Sequence, residues 1–144
     1  MLIKQLSVFL ENRQGSLCEA LEILGRHDID LIALSLADTT EYGILRMIVS
    51  DPVEGQKVLR EQGLTASLTD VIAIRVAHAT GSLSKVMRKL ADEVNVEYMY
   101  AFANGEDASA VMKISDPVKA KEILDQNNIK VWTAEEAYHL NQMK

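Results

Sequence analysis

Two hydrophobic periods alternate along this chain. Leu6, Val8 and Leu10 occupy every second position of the first segment, and Ile72, Ile74 and Val76 do the same near the middle. A period of two marks a strand with one covered face. After each run the period becomes helical. Leu17, Leu21 and Leu24 follow Gly15, and Leu83, Val86, Met87 and Leu90 follow Gly81, each set forming one apolar stripe. Ser16, with Glu19 three residues on, has the form of a capping box at the first helix start. Further strands are predicted over 31–37, 43–49 and 64–68, and again over 96–103, 108–114 and 129–133. Leu45, Met47 and Val49 share their parity with Ala110, Met112 and Ile114, which predicts a helix-covered face. Asp51-Pro52 and Asp116-Pro117 predict second helix starts, because Asp can cap and Pro fits a first turn that needs no amide donor. Val58 and Leu59, then Ile123 and Leu124, are their apolar contacts, and Gly63 and Asn127-Asn128 suit left-handed helix ends.

The same elements occur twice because the sequence is duplicated. Gly15-Ser16-Leu17 recurs as Gly81-Ser82-Leu83 after 66 positions, and Ser50-Asp51-Pro52-Val53 recurs as Ser115-Asp116-Pro117-Val118 after 65. The single deletion fits the turn at 25–28, which aligns Asp28-Ile29-Asp30-Leu31 with Glu93-Val94-Asn95-Val96. Each copy then reads strand, helix, strand, strand, helix, strand. Right-handed crossovers turn that order into a split βαβ sandwich, four antiparallel strands with both helices on one face. The predicted fold class is α+β: two tandem ferredoxin-like βαββαβ units, 1–69 and 70–144. On the face without helices, Tyr98, Tyr100 and Phe102 share one side of a strand whose first-copy counterparts are Ala33, Ser35 and Ala37. That aromatic row either packs against another sheet or belongs to the domain core.

Composition then removes several functions. The net charge of −6 opposes a general affinity for nucleic-acid phosphate. Ferredoxin-like RNA binders also need aromatics on central strands and a basic surface, which the first copy lacks. No apolar run approaches the roughly 20 residues of a membrane span, and positions 1–10 lack the apolar core of a signal peptide, so a cytoplasmic, soluble protein without a membrane partner is expected. Cys18 is the single cysteine; it can form neither an internal disulfide nor a paired-thiol metal loop, and is expected to pack as a small core residue. No glycine-rich phosphate loop is present, and no triad or carboxylate pair repeats in both copies, so no catalytic residue, metal or cofactor is expected. Arg13 beside Asn12 faintly suggests an acylphosphatase, but His78-Ala79 stands there in the second copy. His27 and His139 are expected on the surface, and His78 follows a strand where a ligand can lie.

The stretch Ser7-Val-Phe-Leu-Glu-Asn-Arg-Gln-Gly-Ser-Leu17 resembles the start of ACT domains, small regulatory modules of amino-acid metabolism. Asp28-Ile29-Asp30-Leu31 resembles the opening of the ACT second strand, and Val94-Asn95-Val96 matches it more closely. The resemblance covers nearly the whole chain twice and is strongest to free-standing tandem ACT proteins of bacteria, whose first copy carries a segment like Ala37-Asp-Thr-Thr-Glu-Tyr-Gly-Ile-Leu-Arg46. It implies units joined side by side in a homo-oligomer, a dimer in the simplest case, with an amino-acid effector held in the seam. Transferred by position, the ligand-binding residues are Asn12, Arg13, Gln14, Gly15, Ser16 and Leu17 of the first loop, with Asp30. In the second copy they are His78, Thr80, Gly81, Ser82 and Leu83, with Asn95. Helix-start amides suit a carboxylate, and a carboxylate or carboxamide across the seam suits an α-ammonium. The chain departs from the pattern in Gln14 and Thr80, where proline often precedes the glycine, and in Asp30 where asparagine is usual. Arg46 lies on a strand at the parity opposite Leu45 and Met47, facing a ligand carboxylate, solvent or an interface. The alternative to a ligand-binding regulator is a ligand-free regulatory subunit of an amino-acid biosynthetic enzyme.

Overall fold

Residues 2–38, 41–77, 79–104 and 107–140 are described by the structure, a computed structural model. The elements run β1 (Ile3–Glu11), α1 (Ser16–Arg26), β2 (Leu31–Asp38), β3 (Tyr42–Val49), α2 (Pro52–Glu61), β4 (Thr65–Val76), α3 (Ser82–Ala91), β5 (Val96–Asn104), β6 (Asp107–Ile114), α4 (Pro117–Gln126) and α5 (Ala134–Tyr138). The chain forms two units. The first holds residues 4–69 and the chain from Ala134 onward; the second holds Asp70–Thr133 and the N-terminal residues up to Ile3.

In the first unit the strand order is β2-β3-β1-β4. β3 pairs antiparallel with both neighbours, placing Leu6 opposite Met47, Val8 opposite Leu45, and Leu36 opposite Leu45 on the other side. Leu6, Val8, Leu10, Leu45, Met47 and Val49 form one buried layer with Ala20, Ile23 and Leu24 of α1 and Val58 and Leu59 of α2. The second unit repeats it: Ile72, Ile74 and Val76 of β4 join Ala110, Met112 and Ile114 of β6, under Val86 and Leu90 of α3 and Ala120, Ile123 and Leu124 of α4. The strand parity read from the two periods is thus the helix-covered face in both units. Tyr98, Tyr100 and Phe102 pair with Lys113, Val111 and Ser109, at the opposite parity to Met112. They lie outside the core cluster, so the core reading of that row is wrong.

The recurring Ser-Asp-Pro-Val motif has a local job. Ser50 Oγ accepts from the Asp30 amide at 2.9 Å while the Ser50 amide donates to the Asp30 carbonyl at 2.9 Å. Ser115 and Asn95 repeat the clasp at 3.0 and 2.9 Å. The next residue caps the helix: Asp51 Oδ1 accepts from the Glu54 amide and Asp116 Oδ1 from the Lys119 amide, both at 3.1 Å. Replacing Ser50 or Ser115 by alanine is therefore expected to lower stability by about 1 kcal/mol each, one hydrogen bond's net worth. Urea denaturation of the two variants checks this, and equal midpoints to wild type would contradict it.

The last strand of the first copy and the first strand of the second are one strand, β4, twelve residues long. No Gly or Pro interrupts Thr65–Val76, so nothing breaks the extended backbone. The strand predicted over 129–133 shrinks to one antiparallel bridge between Val131 and Ile74, closed by Arg75 N–H to the Lys130 carbonyl and Trp132 N–H to the Ala73 carbonyl. The short helix α5 was not anticipated; it contacts β3 and accepts a 2.8 Å bond from the Lys4 amide on Tyr138 Oη. Ala33 and Ile48, opposite in parity to the core, are buried in that unit, as are Ala134 and Ala137. The stripe of α1 runs through Ser16, Ala20, Ile23 and Leu24, with Leu17 and Leu21 only flanking it. Cys18 falls off that stripe and is exposed, not a core residue.

Candidate functional site

In their described residues, the two loops before α1 and α3 share one pattern of backbone hydrogen bonds. In the first, the Arg13 amide donates to the Glu11 carbonyl, the Ser16 amide to Arg13 and the Glu19 amide to Gly15, at 2.8, 3.3 and 3.0 Å. In the second, Ala79 donates to Ala77, Ser82 to Ala79 and Lys85 to Gly81, at 2.8, 3.1 and 3.2 Å. Gly15 and Gly81 are the N-caps, in the left-handed region at φ 90° and 83°, a conformation that costs glycine little. The capping box read at Ser16 is therefore absent. Ser16 is already the first helical residue and Glu19 bonds Arg13 instead. Among the described residues no side-chain oxygen caps either helix, so the amides that follow Ser16 and Ser82 in each first turn are left without a side-chain cap.

Ser16 is the unusual member. It is only 6% exposed, and among the described residues its Oγ has no hydrogen-bond partner. A buried hydroxyl without a partner carries an unrecovered desolvation cost. Around it, Asn12, Gln14 and Gly15 are exposed and Leu17 is half-buried. The Asn12 amide ties the loop to the Glu41 carbonyl at 3.0 Å. The Arg13 guanidinium is held by Glu19 at 2.7 Å and Glu11 at 3.2 Å. Glu19 first, then Glu11, raises its pKa above the ordinary value. Its charge is locally matched, which weakens it as a ligand-carboxylate anchor.

In the second loop Thr80 and Gly81 are exposed, Ser82 is half-buried and Leu83 is 39% exposed. Ser84 Oγ donates to the Gly81 carbonyl at 3.0 Å. Gly81 and Leu83 line an open depression with Ala79, Ser84 and Met87. His78 lies outside the described residues. The proposed strand positions are not brought to their own loops. Glu11 pairs with Tyr42 at one end of β3, whereas Leu31, next to Asp30, pairs with Val49 at the other. At roughly 3.3 Å per residue the two ends lie about 23 Å apart. Val76 opposite Ala108 and Val96 opposite Ile114 separate the second loop from Asn95 in the same way. One unit alone cannot join loop and strand position around one ligand.

A family profile described as an ACT domain pair matches residues 1–141. The chain belongs to the ACT domain pair family. Its structure is similar to that of protein BT0572 from Bacteroides thetaiotaomicron, at 40% identity, 96% of each chain covered and a TM-score of 0.91. The regulatory subunit of aspartate kinase from Thermus thermophilus, in its ligand-free form, shares the fold at 14% identity, covering 85% of this chain and 90% of that one, with a TM-score of 0.65. E. coli aspartokinase III in complex with lysine and aspartate shares it at 13% identity and a TM-score of 0.51, covering 98% of this chain and 32% of that one. No curated protein sequence matches the chain. Among the described residues of the ACT pair, no group of three or more His, Cys, Asp or Glu is placed to hold a metal ion, and no helix is long and apolar enough to cross a membrane.

The exposed thiol of the first ACT unit is not an activated nucleophile. Cys18 Sγ donates to Glu22 Oε1 at 3.1 Å, and that bond and the carboxylate's charge raise the thiol pKa. Fewer thiolates at a given pH mean slower alkylation. Iodoacetamide at pH 8 is expected to label Cys18 several-fold faster in Glu22→Gln than in wild type, and equal rates would contradict this.

Proposed function

We propose that this ACT pair is a regulatory protein, not an enzyme, that binds an amino acid in seams between ACT units of two copies, in the simplest case a homodimer in the cytoplasm. The two repeats, 1–69 and 70–144, each contribute one loop and one strand position. Asn12, Arg13, Gln14, Gly15, Ser16 and Leu17 of one copy face Asp30 of the other; His78, Thr80, Gly81, Ser82 and Leu83 face Asn95.

The observation that carries the reading is the buried, unpartnered Ser16 hydroxyl at an uncapped helix start. First-turn amides and the positive helix end favour a carboxylate there, and Ser16 supplies a donor that already stands desolvated. Asp30 suits the α-ammonium, and a second copy must bring it, since loop and strand position lie at opposite ends of one unit's sheet. The fold is shared with a regulatory subunit of aspartate kinase and with about a third of aspartokinase III, whose structure holds lysine and aspartate, and this favours an amino-acid effector. Binding shifts the population of the assembly or of a partner enzyme only as far as its affinity differs between states.

A thermal-shift screen of the chain against the twenty amino acids tests the proposal. A ligand of the folded state at 100 times its Kd adds about 2.7 kcal/mol, so a selective rise is expected. Ser16→Ala is expected to leave the unliganded melting temperature unchanged or higher, because an unpartnered hydroxyl is removed, yet to weaken the ligand by about tenfold, the worth of one charge-assisted bond. A flat panel, together with co-purification of a biosynthetic enzyme, points instead to a ligand-free regulatory subunit.

A further inference from the structure

The groove beside α4 is bounded by one unit alone and is separate from both loops. Its volume is about 690 Å³, within the roughly 300–1,000 Å³ of small-molecule sites. Ile3, Val71, Ile72 and Trp132, all nearly fully buried, line it with Ile129 and Val131. Lys121, Glu122 and Asp125 stand along its α4 side, and Lys130 on the segment that follows the helix. Among the described residues none of these four charged side chains takes part in an ion pair.

At the equivalent place in the first unit, side chains strap the helix to the neighbouring strand. Arg60 Nε donates to the Ala66 carbonyl at 2.9 Å and Gln56 Nε2 donates to the same oxygen at 3.3 Å, so two α2 side chains tie that helix to β4. A shift of 65 positions carries Gln56, Arg60 and Ala66 onto Lys121, Asp125 and Val131. The arginine has become an acid. Among the described residues no side chain donates to the Val131 carbonyl, and Arg75 and Trp132 fix its neighbours so that Val131's own N–H and C=O point away from β4. The second unit has lost the strap and gained a negative charge where the strap's cation stood.

We propose that this groove binds an apolar amino acid. The ligand's ammonium takes the place that the Arg60 guanidinium holds in the first unit, with Asp125 as its counter-charge and the Val131 carbonyl as its acceptor. Lys121 and Lys130 attract the carboxylate, and the side chain lies on the floor formed by Ile72, Val131 and Trp132. The site is distinct from the loops and does not depend on a ligand there.

Trp132 is the chain's single tryptophan, so its emission reports occupancy of the groove. Titration of the full chain with L-leucine, L-methionine and L-phenylalanine is expected to change that emission saturably for at least one of them, and L-aspartate is expected to leave it unchanged. 3-Phenylpropanoate, which lacks the ammonium, is expected to bind at least about tenfold more weakly than phenylalanine. Asp125→Arg rebuilds the first unit's strap and is expected to abolish the response without lowering the melting temperature; Asp125→Asn is expected to weaken it. A thermal response due to the loops persists in Asp125→Arg, which separates failure here from failure there. Emission that stays constant with all three apolar amino acids, or a response undiminished in Asp125→Arg, would overturn the proposal.

Discussion

Truncating Leu59 to alanine is expected to destabilise the chain by roughly 2–5 kcal/mol, and truncating Leu124 by a similar amount. The two residues stand 65 positions apart, are both fully buried, and occupy the same place on the second helix of each unit. Each packs into its own core, Leu59 among Leu6, Met47 and Val58, Leu124 among Ile72, Met112 and Ile123. The loss combines the transfer of the removed carbons with the cavity they leave. For a chain of this size it corresponds to a fall in melting temperature of about 4–20 °C, at roughly 2–4 °C per kcal/mol. Thermal denaturation followed by circular dichroism measures both variants. A marked loss in one unit with none in the other would contradict the equivalence of the two cores.

Trp132→Ala is expected to be as severe, at roughly 3–5 kcal/mol. Trp132 is 3% exposed, donates from Nε1 to Ser109 Oγ at 2.9 Å, and lies under the Arg75 guanidinium at 4.1 Å from the ring centroid. These contacts secure a segment that has only one bridge to β4, so the side chain substitutes for the ladder bonds that the segment lacks. Trp132→Phe keeps most of the apolar area but leaves Ser109, itself 1% exposed, without its donor, and is expected to lose an intermediate amount. Chemical denaturation compares them. A Trp132→Ala midpoint equal to wild type would show that the segment is held by other means.

Much of the fold was legible because periodicity and duplication point the same way. Leu6, Val8 and Leu10, with Ile72, Ile74 and Val76, mark the covered face, and the repeated Ser-Asp-Pro-Val marks both second helices down to the capping bond. The departures arise where a local pattern cannot see its surroundings. Ser16-Leu-Cys-Glu19 has the letters of a capping box, but the left-handed Gly15 starts the helix one residue earlier and turns Ser16 inward. Two adjacent stripes were available on α1, and the buried one runs through Ser16 and Ala20, not through the larger Leu17 and Leu21. On α2 the packing is tight at Gly55, where a Cβ would meet Leu6 Cδ2 at 3.0 Å, whereas its second-unit counterpart, Ala120, is accommodated. The C-terminal helix α5 is five residues long and carries too little periodicity to register.

The candidate site was legible in part. The residues of each loop do sit together at a helix start. That Arg13 is already engaged by two carboxylates, that Ser16 is buried without a partner, and that Asp30 lies at the far end of its own sheet are consequences of packing and register which spacing does not report. Nor does the sequence show the groove beside α4 until Arg60 and Asp125 are known to stand at equivalent positions with opposite effects on the neighbouring carbonyl.

The most direct test of the effector site is an amide chemical-shift map of the isotopically labelled chain, titrated with each of the twenty amino acids. At least one of them is expected to shift the amides of Asn12–Leu17 together with Asp30, two sets that a single unit holds about 23 Å apart and that only a seam can join. Shifts at neither set with any amino acid, or shifts confined to the groove beside α4, would contradict a ligand held at the ACT–ACT seam.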